Sequence, residues 1–427
     1  MADIVIKPVS SLQGHVVVPG DKSISHRALL LSAIAEGEST LTGLSAAEDV
    51  RHTRMCMEKM GIAFRDEAET VYVSGKGMYG LKKPDDVLYV GNSGTTIRLM
   101  TGILAAQPFE SVIDGDESIR TRPMRRIIEP LEAMGAQIVS EDNKAPLRIS
   151  GGVLRAINYA SPIASAQIKS CIIMAGLYAR GLTCVTEPSQ SRDHTERMLK
   201  EFGAEAQYSR NGAGVKGPAH LTACHIDVPC DISAAAFFLI AACLLRDSTV
   251  RIKNVGINPT RTGVLDVLAS MGAKIDMSDQ SEISGEPRAT LTARFSELGS
   301  VNLAGTIIPK IIDEIPIIAI AATQAGGVTT IRDAQELRVK ESDRIAAMSI
   351  NLRKMGAEVR ETKDGLVISG PTGLKGAEIE SYGDHRIAMS FAVAGLLAEG
   401  ETIIKNYECV NTSFPGFFEK IDSLKND

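Results

Sequence analysis

Cationic and small hydroxyl side chains begin several of the helices that the sequence predicts. Lys22, Ser23 and Arg27 lie in the first turns of one such helix, with Ser23 and Arg27 on one face. A helix N-terminus presents free backbone N–H groups, and nearby cations strengthen its attraction for a phosphate group. The segment is therefore a candidate anion site. A solvent-exposed basic surface would contain the same residues and is the alternative.

A glycine-rich run and a serine-rich run also precede apolar helices. The run Gly91-Asn92-Ser93-Gly94-Thr95-Thr96-Ile97-Arg98 follows a strand-like segment at 87–90, and its glycines would let the backbone approach an anion closely. The second run opens its helix with Ser165, Ala166 and Gln167. Helix capping needs only one serine, so this row of residues indicates contact with a ligand. Ordinary turn chemistry is the alternative for the glycine-rich run.

Charged residues mark three further turns in the C-terminal half. Asp313 and Glu314 precede Pro316 and an uncharged helix, where a carboxylate commonly caps the helix N-terminus. Lys340-Glu341-Ser342-Asp343-Arg344 mixes both signs of charge, which is typical of an exposed, salt-bridged helix face. Asp384-His385-Arg386 predicts a turn that leads into a helix.

All of these motifs fall where a strand-like segment turns into a helix. Such turns gather at one end of their sheets, so two domains that face each other would line one cleft with them. The residues by themselves therefore predict a two-domain transferase that binds anionic substrates.

An internal repeat supplies the elements that would position these motifs. A Met-Gly or Phe-Gly pair ends a helix-like segment five times, with glycines 68–84 residues apart at Gly61, Gly135, Gly203, Gly272 and Gly356. Glycine just beyond the last helical turn accepts the left-handed conformation, so each unit is expected to end its helix here and continue into a strand. A degenerate sixth unit near the C-terminus would complete two sets of three.

A second self-match groups the repeats into domains. Val18-Pro19-Gly20-Asp21-Lys22-Ser23 corresponds to Val228-Pro229-Cys230-Asp231-Ile232-Ser233, and both predict a strand, a proline turn and a capped helix. We predict a mixed α/β chain with two similar domains of three units each, 21–230 and 1–20 plus 231–427. The chain would cross between them twice, and its first strand would complete the second domain. Two consecutive domains with a single crossing are the alternative.

The composition bounds the class of protein. The chain has 427 residues, 44% of them hydrophobic, and a net charge of −6, which indicates a globular protein large enough for two domains and excludes a disordered or fibrous one. A mildly acidic chain with 4% aromatic residues and no Trp lacks the basic face and stacking groups of a nucleic-acid-binding protein. Small molecules are the expected partners.

Targeting and cysteine patterns give further expectations. The N-terminal residues lack the basic and apolar regions of a secretory signal, and the longest apolar run, 234–245, is too short to span a bilayer. The seven cysteines are scattered with no C-x-x-C pair, which predicts neither a disulfide framework nor a zinc site. We expect a cytoplasmic protein that does not associate with membranes.

The motifs taken together resemble those of the 5-enolpyruvylshikimate-3-phosphate synthase family. In chain order they are Val18 to Arg27, Gly91 to Arg98, Thr121 to Met124, Ala164 to Ser170, Arg338 to Arg344 and Tyr382 to Met389. The resemblance implies two domains, each of three βαβαββ-type units in an inverted-repeat architecture, with the active site in the cleft between them. It also implies a monomer that uses no metal and no organic cofactor.

The resemblance further implies a reaction and its residues. The family transfers the enolpyruvyl group of phosphoenolpyruvate to the 5-hydroxyl of shikimate 3-phosphate and releases phosphate, on the route to chorismate and the aromatic amino acids. Shikimate 3-phosphate would contact Lys22, Ser23, Arg27, Ser165, Ala166, Gln167, Arg192, Asp313 and Lys340. Phosphoenolpyruvate would contact Lys22, Gly94, Arg122, Gln167, Arg344, His385 and Arg386. The catalytic residues would be Asp313, Glu341 and Lys22.

The charges of these residues suit the implied substrates. Two phosphates and two carboxylates, with a combined charge of about −5 to −6, would meet seven cations. We expect Asp313 to accept the proton of the attacking hydroxyl, and Glu341 or Lys22 to deliver the proton that C3 of phosphoenolpyruvate gains. The intermediate would be tetrahedral at C2 and would then expel phosphate.

Two alternatives are open at this point. The related UDP-N-acetylglucosamine enolpyruvyl transferase shares the fold but uses a reactive cysteine on a loop that would align near 110–120, and this segment has no cysteine here. An anion-binding protein of the same architecture would use Asp313 and Glu341 only as helix caps and would bind both ligands without turnover.

Overall fold

The computed structural model describes residues 2–426, and this part of the chain contains fourteen α-helices and twenty-four β-strands. The helices are α1 (Lys22–Ile34), α2 (Glu48–Lys59), α3 (Gly94–Leu104), α4 (Glu117–Thr121), α5 (Arg125–Ala133), α6 (Ala166–Gly176), α7 (His194–Glu201), α8 (Ile232–Leu244), α9 (Gly263–Ser270), α10 (Ile308–Ile311), α11 (Ile315–Gln324), α12 (Arg344–Lys354), α13 (His385–Leu397) and α14 (Phe417–Asp422). The strands are β1 (Ile4–Ile6), β2 (Ser11–Val16), β3 (Glu36–Thr42), β4 (Ala63–Glu67), β5 (Thr70–Lys76), β6 (Leu88–Tyr89), β7 (Glu110–Asp114), β8 (Gln137–Val139), β9 (Leu147–Ser150), β10 (Asn158–Ala160), β11 (Gly181–Thr186), β12 (Ala206–Ser209), β13 (Gly212–Gly217), β14 (His225–Asp227), β15 (Thr249–Gly256), β16 (Lys274–Ile283), β17 (Glu286–Arg294), β18 (Asn302–Leu303), β19 (Gly327–Ile331), β20 (Glu358–Thr362), β21 (Gly365–Gly370), β22 (Glu378–Glu380), β23 (Thr402–Lys405) and β24 (Lys425–Asn426).

The chain divides into two compact units. The N-terminal unit comprises Gly20–Pro229 with Glu282–Glu286, and the C-terminal unit comprises the chain up to Pro19, Cys230–Ser281 and the chain from Pro287 onward. The segment Glu282–Glu286 therefore groups differently from the sequence-based division into 21–230 and 1–20 plus 231–427.

Contacts with α7 explain the grouping of that segment. The His194 Nδ1 atom lies 2.7 Å from Glu286 Oε1, and Arg197 Nη1 donates a hydrogen bond to the backbone oxygen of Gly285 at 3.0 Å. The sequence gives no local indication of these pairings, because the partners lie far apart along the chain.

Within residues 2–426, the N-terminal unit contains three four-stranded sheets of one design. Two follow the chain as βαβαββ, in the spatial orders β6-β7-β9-β8 and β10-β11-β13-β12. The first two strands of each are parallel, and the later pairs are antiparallel. The third sheet, β14-β3-β5-β4, has the same arrangement, but β14 comes from the end of the unit.

The C-terminal unit repeats this design with β18-β19-β21-β20 and adds the sheets β16-β17-β15-β2-β24 and β1-β23-β22. Strand β2 lies parallel to β15, so the first part of the chain adds a strand to a sheet of this unit. The pairing of β2 with β15 and of β14 with β3 requires two crossings of the chain. Two consecutive domains with one crossing would not produce these pairs.

The predicted Met-Gly and Phe-Gly pairs all lie at the ends of helices. The residues before the glycines are the C-caps of α2, α5, α7, α9 and α12. The five glycines have φ between +85° and +105°, which is the left-handed region that favours glycine. The prediction of this repeated helix stop is confirmed.

Three apolar helices form the centre of each unit. In the N-terminal unit α3 packs against α1 and α6, and in the C-terminal unit α8, α11 and α13 pack against one another. These helices are buried on nearly every side, so their polar residues concentrate at their ends. All six begin at a segment that the sequence singles out. Helix α8 begins within the self-matching segment 228–233, and the other five begin at the cationic, glycine-rich, serine-rich or charged turns.

The apolar run at 234–245 belongs to one of these central helices. Helix α8 is buried from Ile232 to Cys243 and contributes to the core of the C-terminal unit. Among the helices of residues 2–426, none is both long and apolar enough to cross a membrane.

Candidate active site

The first turn of α1 gathers two cations and a hydroxyl group. Asp21 caps this helix by accepting a hydrogen bond from a backbone N–H of its first turn. Lys22 Nζ lies 2.8 Å from the carboxylate of Asp49, which is only 9% exposed, so the ammonium group has a fixed partner. The guanidinium of Arg192 lies 3.4 Å from the Ser23 hydroxyl. Residues from three segments thus meet at this helix N-terminus.

Arg27 is a buried cation that ties α1 to α6 and α7. Its Nε donates to the Thr195 hydroxyl at 2.6 Å, its Nη2 to the Ser170 hydroxyl at 2.8 Å, and its Nη1 to the backbone oxygen of Ser23 at 2.8 Å. Burial lowers the pKa of Arg27 to about 10, so the guanidinium stays charged at neutral pH. Its positive charge therefore persists inside the N-terminal unit.

A buried ion-pair cluster fixes the start of α6. The backbone N–H of Ser165, the N-cap residue, donates to Glu187 Oε1 at 2.9 Å, and Ser191 donates to the other oxygen at 2.8 Å. Lys169 lies 3.1 Å from Glu187 and 2.9 Å from Glu196. Burial would lower the pKa of Lys169, but the two carboxylates outweigh it and raise the pKa. The ammonium therefore stays charged and holds α6 in place.

Two guanidinium groups approach the glycine that begins α3. A Cβ atom on Gly94 would lie 2.7 Å from Arg98 Nη1 and 2.9 Å from Arg122 Nη1. Arg98 donates to Gln167 Oε1 at 2.7 Å, and Arg122 donates to Asn92 Oδ1 at 2.7 Å. A side chain at this position would displace one or both cations, so glycine leaves two guanidinium groups facing the turn. That this turn binds an anion stays a prediction.

Arg344 is surrounded by three carboxylates in the C-terminal unit. Its Nε and Nη2 donate to Asp384 at 2.8 and 3.2 Å, and its Nη2 donates to Glu341 at 2.7 Å. Its Nη1 lies 3.5 Å from Asp313 Oδ1. Burial would lower the pKa of Arg344, but these carboxylates raise it above its ordinary value. Burial likewise would raise the pKa of Asp384, and Arg344 lowers it instead.

The start of α13 brings a second guanidinium to Asp313. Asp384 caps this helix by accepting a hydrogen bond from the backbone N–H of Arg386 at 2.9 Å. Arg386 Nη1 donates to the backbone oxygen of Asp313 at 2.8 Å, and its Nε lies 4.0 Å from the carboxylate. His385, which lies between Asp384 and Arg386 in the chain, is buried. Asp313 therefore has Arg344 and Arg386 as close neighbours.

The predicted site residues fall into two groups, one in each unit. The N-terminal unit holds Lys22, Ser23, Arg27, Gly94, Arg122, Ser165, Ala166, Gln167 and Arg192. The C-terminal unit holds Asp313, Lys340, Glu341, Arg344, His385 and Arg386. Ala166 is the first residue of α6, and Lys340 is half-buried just before Glu341.

Two sequence-based helix interpretations are wrong. Residues 340–343 precede α12 and do not form an exposed helix face, and Arg344 at its start is buried. Glu314 occupies the N-cap position of α11 but makes no capping hydrogen bond within residues 2–426, and its carboxylate accepts one from Ser233. Both errors arise because local sequence does not show which buried partner a charged side chain meets.

Several residues that shape the site are missing from the sequence-based set. Asn92 and Arg98, which contact Arg122 and Gln167, lie inside the glycine-rich run and were within reach of sequence reasoning. Asp49, Glu187 and Thr195 hold Lys22, Ser165 and Arg27 from distant parts of the chain, and no local signal marks them.

Comparison with known proteins points to one group. A family model described as EPSP synthase (3-phosphoshikimate 1-carboxyvinyltransferase) matches residues 6–421. The 3-phosphoshikimate 1-carboxyvinyltransferase of Pelobacter propionicus is 51% identical over 427 residues, which cover 100% of this chain and 99% of that protein. That of Geobacter sulfurreducens is 50% identical over 426 residues and 99% of both chains. A solved structure of EPSP synthase from Acinetobacter baumannii has a TM-score of 0.89 and 44% identity over 99% of this chain and 98% of that one.

Proposed function

The chain belongs to the EPSP synthase family and transfers the enolpyruvyl group of phosphoenolpyruvate to shikimate 3-phosphate, and we propose that it uses the residues predicted from its sequence to do so. The family match over residues 6–421 is the observation that carries the reaction. The enzyme is a transferase of the shikimate pathway, which leads to the aromatic amino acids.

We assign the two substrates to two sets of residues. Shikimate 3-phosphate contacts Lys22, Ser23, Arg27, Ser165, Ala166, Gln167, Arg192, Asp313 and Lys340. Phosphoenolpyruvate contacts Lys22, Gly94, Arg122, Gln167, Arg344, His385 and Arg386. The charged helix start of α1 and the guanidinium groups beside Gly94 support this assignment. Each predicted domain, 21–230 and 1–20 plus 231–427, then supplies residues to one reaction.

The proposed chemistry is an addition followed by an elimination. Asp313 accepts the hydroxyl proton as the 5-oxygen bonds to C2 of phosphoenolpyruvate, and Glu341 or Lys22 gives C3 the proton that the π electrons bind. The C2–O bond to phosphate then breaks, and phosphate leaves with the electron pair. The group that protonated C3 takes a proton back from it, and the C–H electrons restore the double bond. Asp313 and Glu341 lie 3.5 and 2.7 Å from the same Arg344 guanidinium, which supports a shared role at one reacting centre.

Phosphate release tests the reaction against both alternatives. The purified protein is supplied with phosphoenolpyruvate and either shikimate 3-phosphate or UDP-N-acetylglucosamine. We expect phosphate only in the first mixture. Phosphate only in the second mixture would identify the related transferase, and binding of both ligands with no release would identify a binding protein.

We also propose that the enzyme acts in the cytoplasm as a monomer. Light scattering of the purified protein is expected to give a mass near 45.6 kDa, with and without the substrates. A stable mass of twice that value would contradict the monomer and leave the assigned reaction unaffected.

A further inference from the structure

Glu314 is a buried carboxylate that the proposed chemistry does not use. Its side chain is 0% exposed, although it directly follows the proposed base Asp313. It is the N-cap residue of α11, yet within residues 2–426 its side chain makes no capping hydrogen bond. An unpaired charge inside a protein is strongly unfavourable. The contacts that stabilise the Glu314 carboxylate therefore indicate its role.

The hydrogen-bonded partners of Glu314 lie at the start of α8. Ser233 donates its hydroxyl hydrogen to Glu314 Oε1. Arg261 Nη2 donates to the same Ser233 hydroxyl at 2.7 Å and to Asp231 at 3.0 Å, and Asp231 caps α8. A buried hydrogen-bonded chain thus connects the start of α8 to the residue next to Asp313.

Arg386 lies beside the same carboxylate. Its Nη1 is 3.9 Å from Glu314 Oε1 and donates to the backbone oxygen of Asp313 at 2.8 Å. The Arg386 side chain is only 10% exposed, so the attraction between the two charges is weakly screened by water. A carbonyl oxygen and a carboxylate together define where this guanidinium lies.

We propose that Glu314 is a positioning residue that holds Arg386 ready for phosphoenolpyruvate. The inference rests on the proposed function, which assigns Arg386 to this substrate. Ser233 fixes the carboxylate of Glu314, and the carboxylate fixes one edge of the guanidinium. The other N–H groups of Arg386 then bind the anionic substrate without first having to be ordered, which favours binding.

Glu314→Gln is the main test variant. It keeps the side-chain size and an oxygen for Ser233 but removes the charge next to Arg386. We expect the KM for phosphoenolpyruvate to rise about tenfold, because the ion pair at 3.9 Å that orients Arg386 is lost. We expect kcat to stay within about threefold and the KM for shikimate 3-phosphate within about twofold.

Ser233→Ala is a milder second variant. It keeps the charge of Glu314 but removes the hydroxyl that holds it, so the KM for phosphoenolpyruvate is expected to rise about threefold. If Glu314→Gln does not fold, the KM of Ser233→Ala for phosphoenolpyruvate decides whether Glu314 positions Arg386.

Glu286→Gln is the matched control for the loss of a buried charge. The Glu286 side chain is 5% exposed, and its Oε1 lies 2.7 Å from Nδ1 of His194, a residue that we assign to neither substrate, in the N-terminal unit. This variant is expected to lower the thermal stability and to leave the KM for phosphoenolpyruvate unchanged.

Arg386→Lys separates failure of the inference from failure of the proposed function. If Arg386→Lys leaves the KM for phosphoenolpyruvate unchanged, the assignment of Arg386 itself is wrong. If Arg386→Lys raises it while Glu314→Gln and Ser233→Ala do not, Glu314 has no positioning role. An equal rise in both substrate KM values, or the same rise in Glu286→Gln, would show general destabilisation and would also overturn the inference.

Discussion

The guanidinium group of Arg344 is already occupied by carboxylates of the protein itself. A substrate carboxylate that binds there must share or replace a contact with Asp384, Glu341 or Asp313. Asp384 is fully buried and bound through both oxygens, whereas Glu341 and Asp313 are 20% and 16% exposed. We therefore expect the substrate carboxylate to replace contacts of Glu341 and Asp313, two of the three residues with proposed roles in proton transfer.

Gly94→Ala tests the guanidinium pair at the start of α3. The new methyl group would lie 2.7 Å from Arg98 Nη1 and 2.9 Å from Arg122 Nη1. Both atoms are ends of flexible side chains, so the fold persists while the cations move. We expect the KM for phosphoenolpyruvate to rise about tenfold, since roughly one charge-assisted contact is weakened.

The control for this variant is Gly152→Ala in the same unit. A Cβ atom on Gly152 meets nothing within 4 Å, so steady-state kinetics should match those of the unmodified enzyme. Unchanged kinetics in Gly94→Ala as well would contradict the assignment of this turn to phosphoenolpyruvate.

Asp313→Asn tests the proposed base. The variant keeps the backbone oxygen that accepts from Arg386 but removes the carboxylate. We expect kcat to fall at least about a hundredfold, because general base catalysis typically contributes that much, while shikimate 3-phosphate still binds. Asp276→Asn, which loses an exposed pair with Arg294, should keep its activity. Near-normal turnover of Asp313→Asn would disprove the assignment.

At the scale of single residues, the sequence predicts the residues that start helices. It misses the residues that form hydrogen bonds and ion pairs with them. Lys22 and Ser165 stand out because Lys22 follows the N-cap of α1 and Ser165 is the N-cap of α6. Asp49 and Glu187, which fix them, are ordinary charged residues in distant segments. Their role depends on tertiary packing, which one sequence does not reveal.

At the scale of the helices, the glycine that follows each repeated C-cap permits a direct test of backbone strain. Gly356 follows α12 with φ +85° and has open space around a Cβ atom, so alanine there meets no clash. Gly356→Ala is expected to lower the free energy of unfolding by about 1–2 kcal/mol, because an L-residue is strained in this conformation. Denaturant unfolding measures the change.

Gly373→Ala is the matched control for this variant. Gly373 also has nothing within 4 Å of a Cβ atom, but its φ is not positive. Alanine there should be neutral or slightly stabilising, because it restricts the unfolded chain. Equal losses of stability in both variants would contradict an origin in the left-handed conformation.

Helix ends are predictable from this sequence, whereas strand partners are not. The C-caps and N-caps depend on residues within one or two turns, so Gly61 or Asp21 can be recognised locally. The pairing of β14 with β3 joins residues near 226 to residues near 41 and needs the whole unit to form. The prediction of a double crossing rests only on the likeness between two segments of the chain, 18–23 and 228–233.

For the molecule as a whole, ionisable groups whose pKa differs between the folded and the unfolded chain set how stability depends on pH. A hydrogen bond from Arg54 lowers the pKa of Asp66, and a backbone N–H lowers that of Asp364. Their stabilising effect is present above the ordinary carboxylate pKa and is lost only below about pH 4. A buried histidine acts at higher pH, where these carboxylates stay ionised in both states.

We predict that His26 makes the protein less stable as the pH falls from about 7.5 to 5. His26 is fully buried on α1, and its Nδ1 lies 2.7 Å from the hydroxyl of Thr53. Burial lowers its pKa well below the ordinary value of 6.5, with Lys22 and Arg27 as further causes. The unfolded chain therefore takes up a proton near pH 6.5 that the folded chain excludes, so stability is lost as the pH falls below that value.

His26→Gln should flatten this dependence, because glutamine does not titrate. Denaturant unfolding at about pH 7.5, 6 and 5 is expected to show that the unmodified protein loses on the order of 1 kcal/mol more than His26→Gln. His15→Gln is the control, since His15 is exposed in the fold and its replacement removes an imidazole without disturbing buried packing. It should keep the slope of the unmodified protein. The same slope in His26→Gln would mean that some other group binds the protons, because removing the buried imidazole would then have changed nothing.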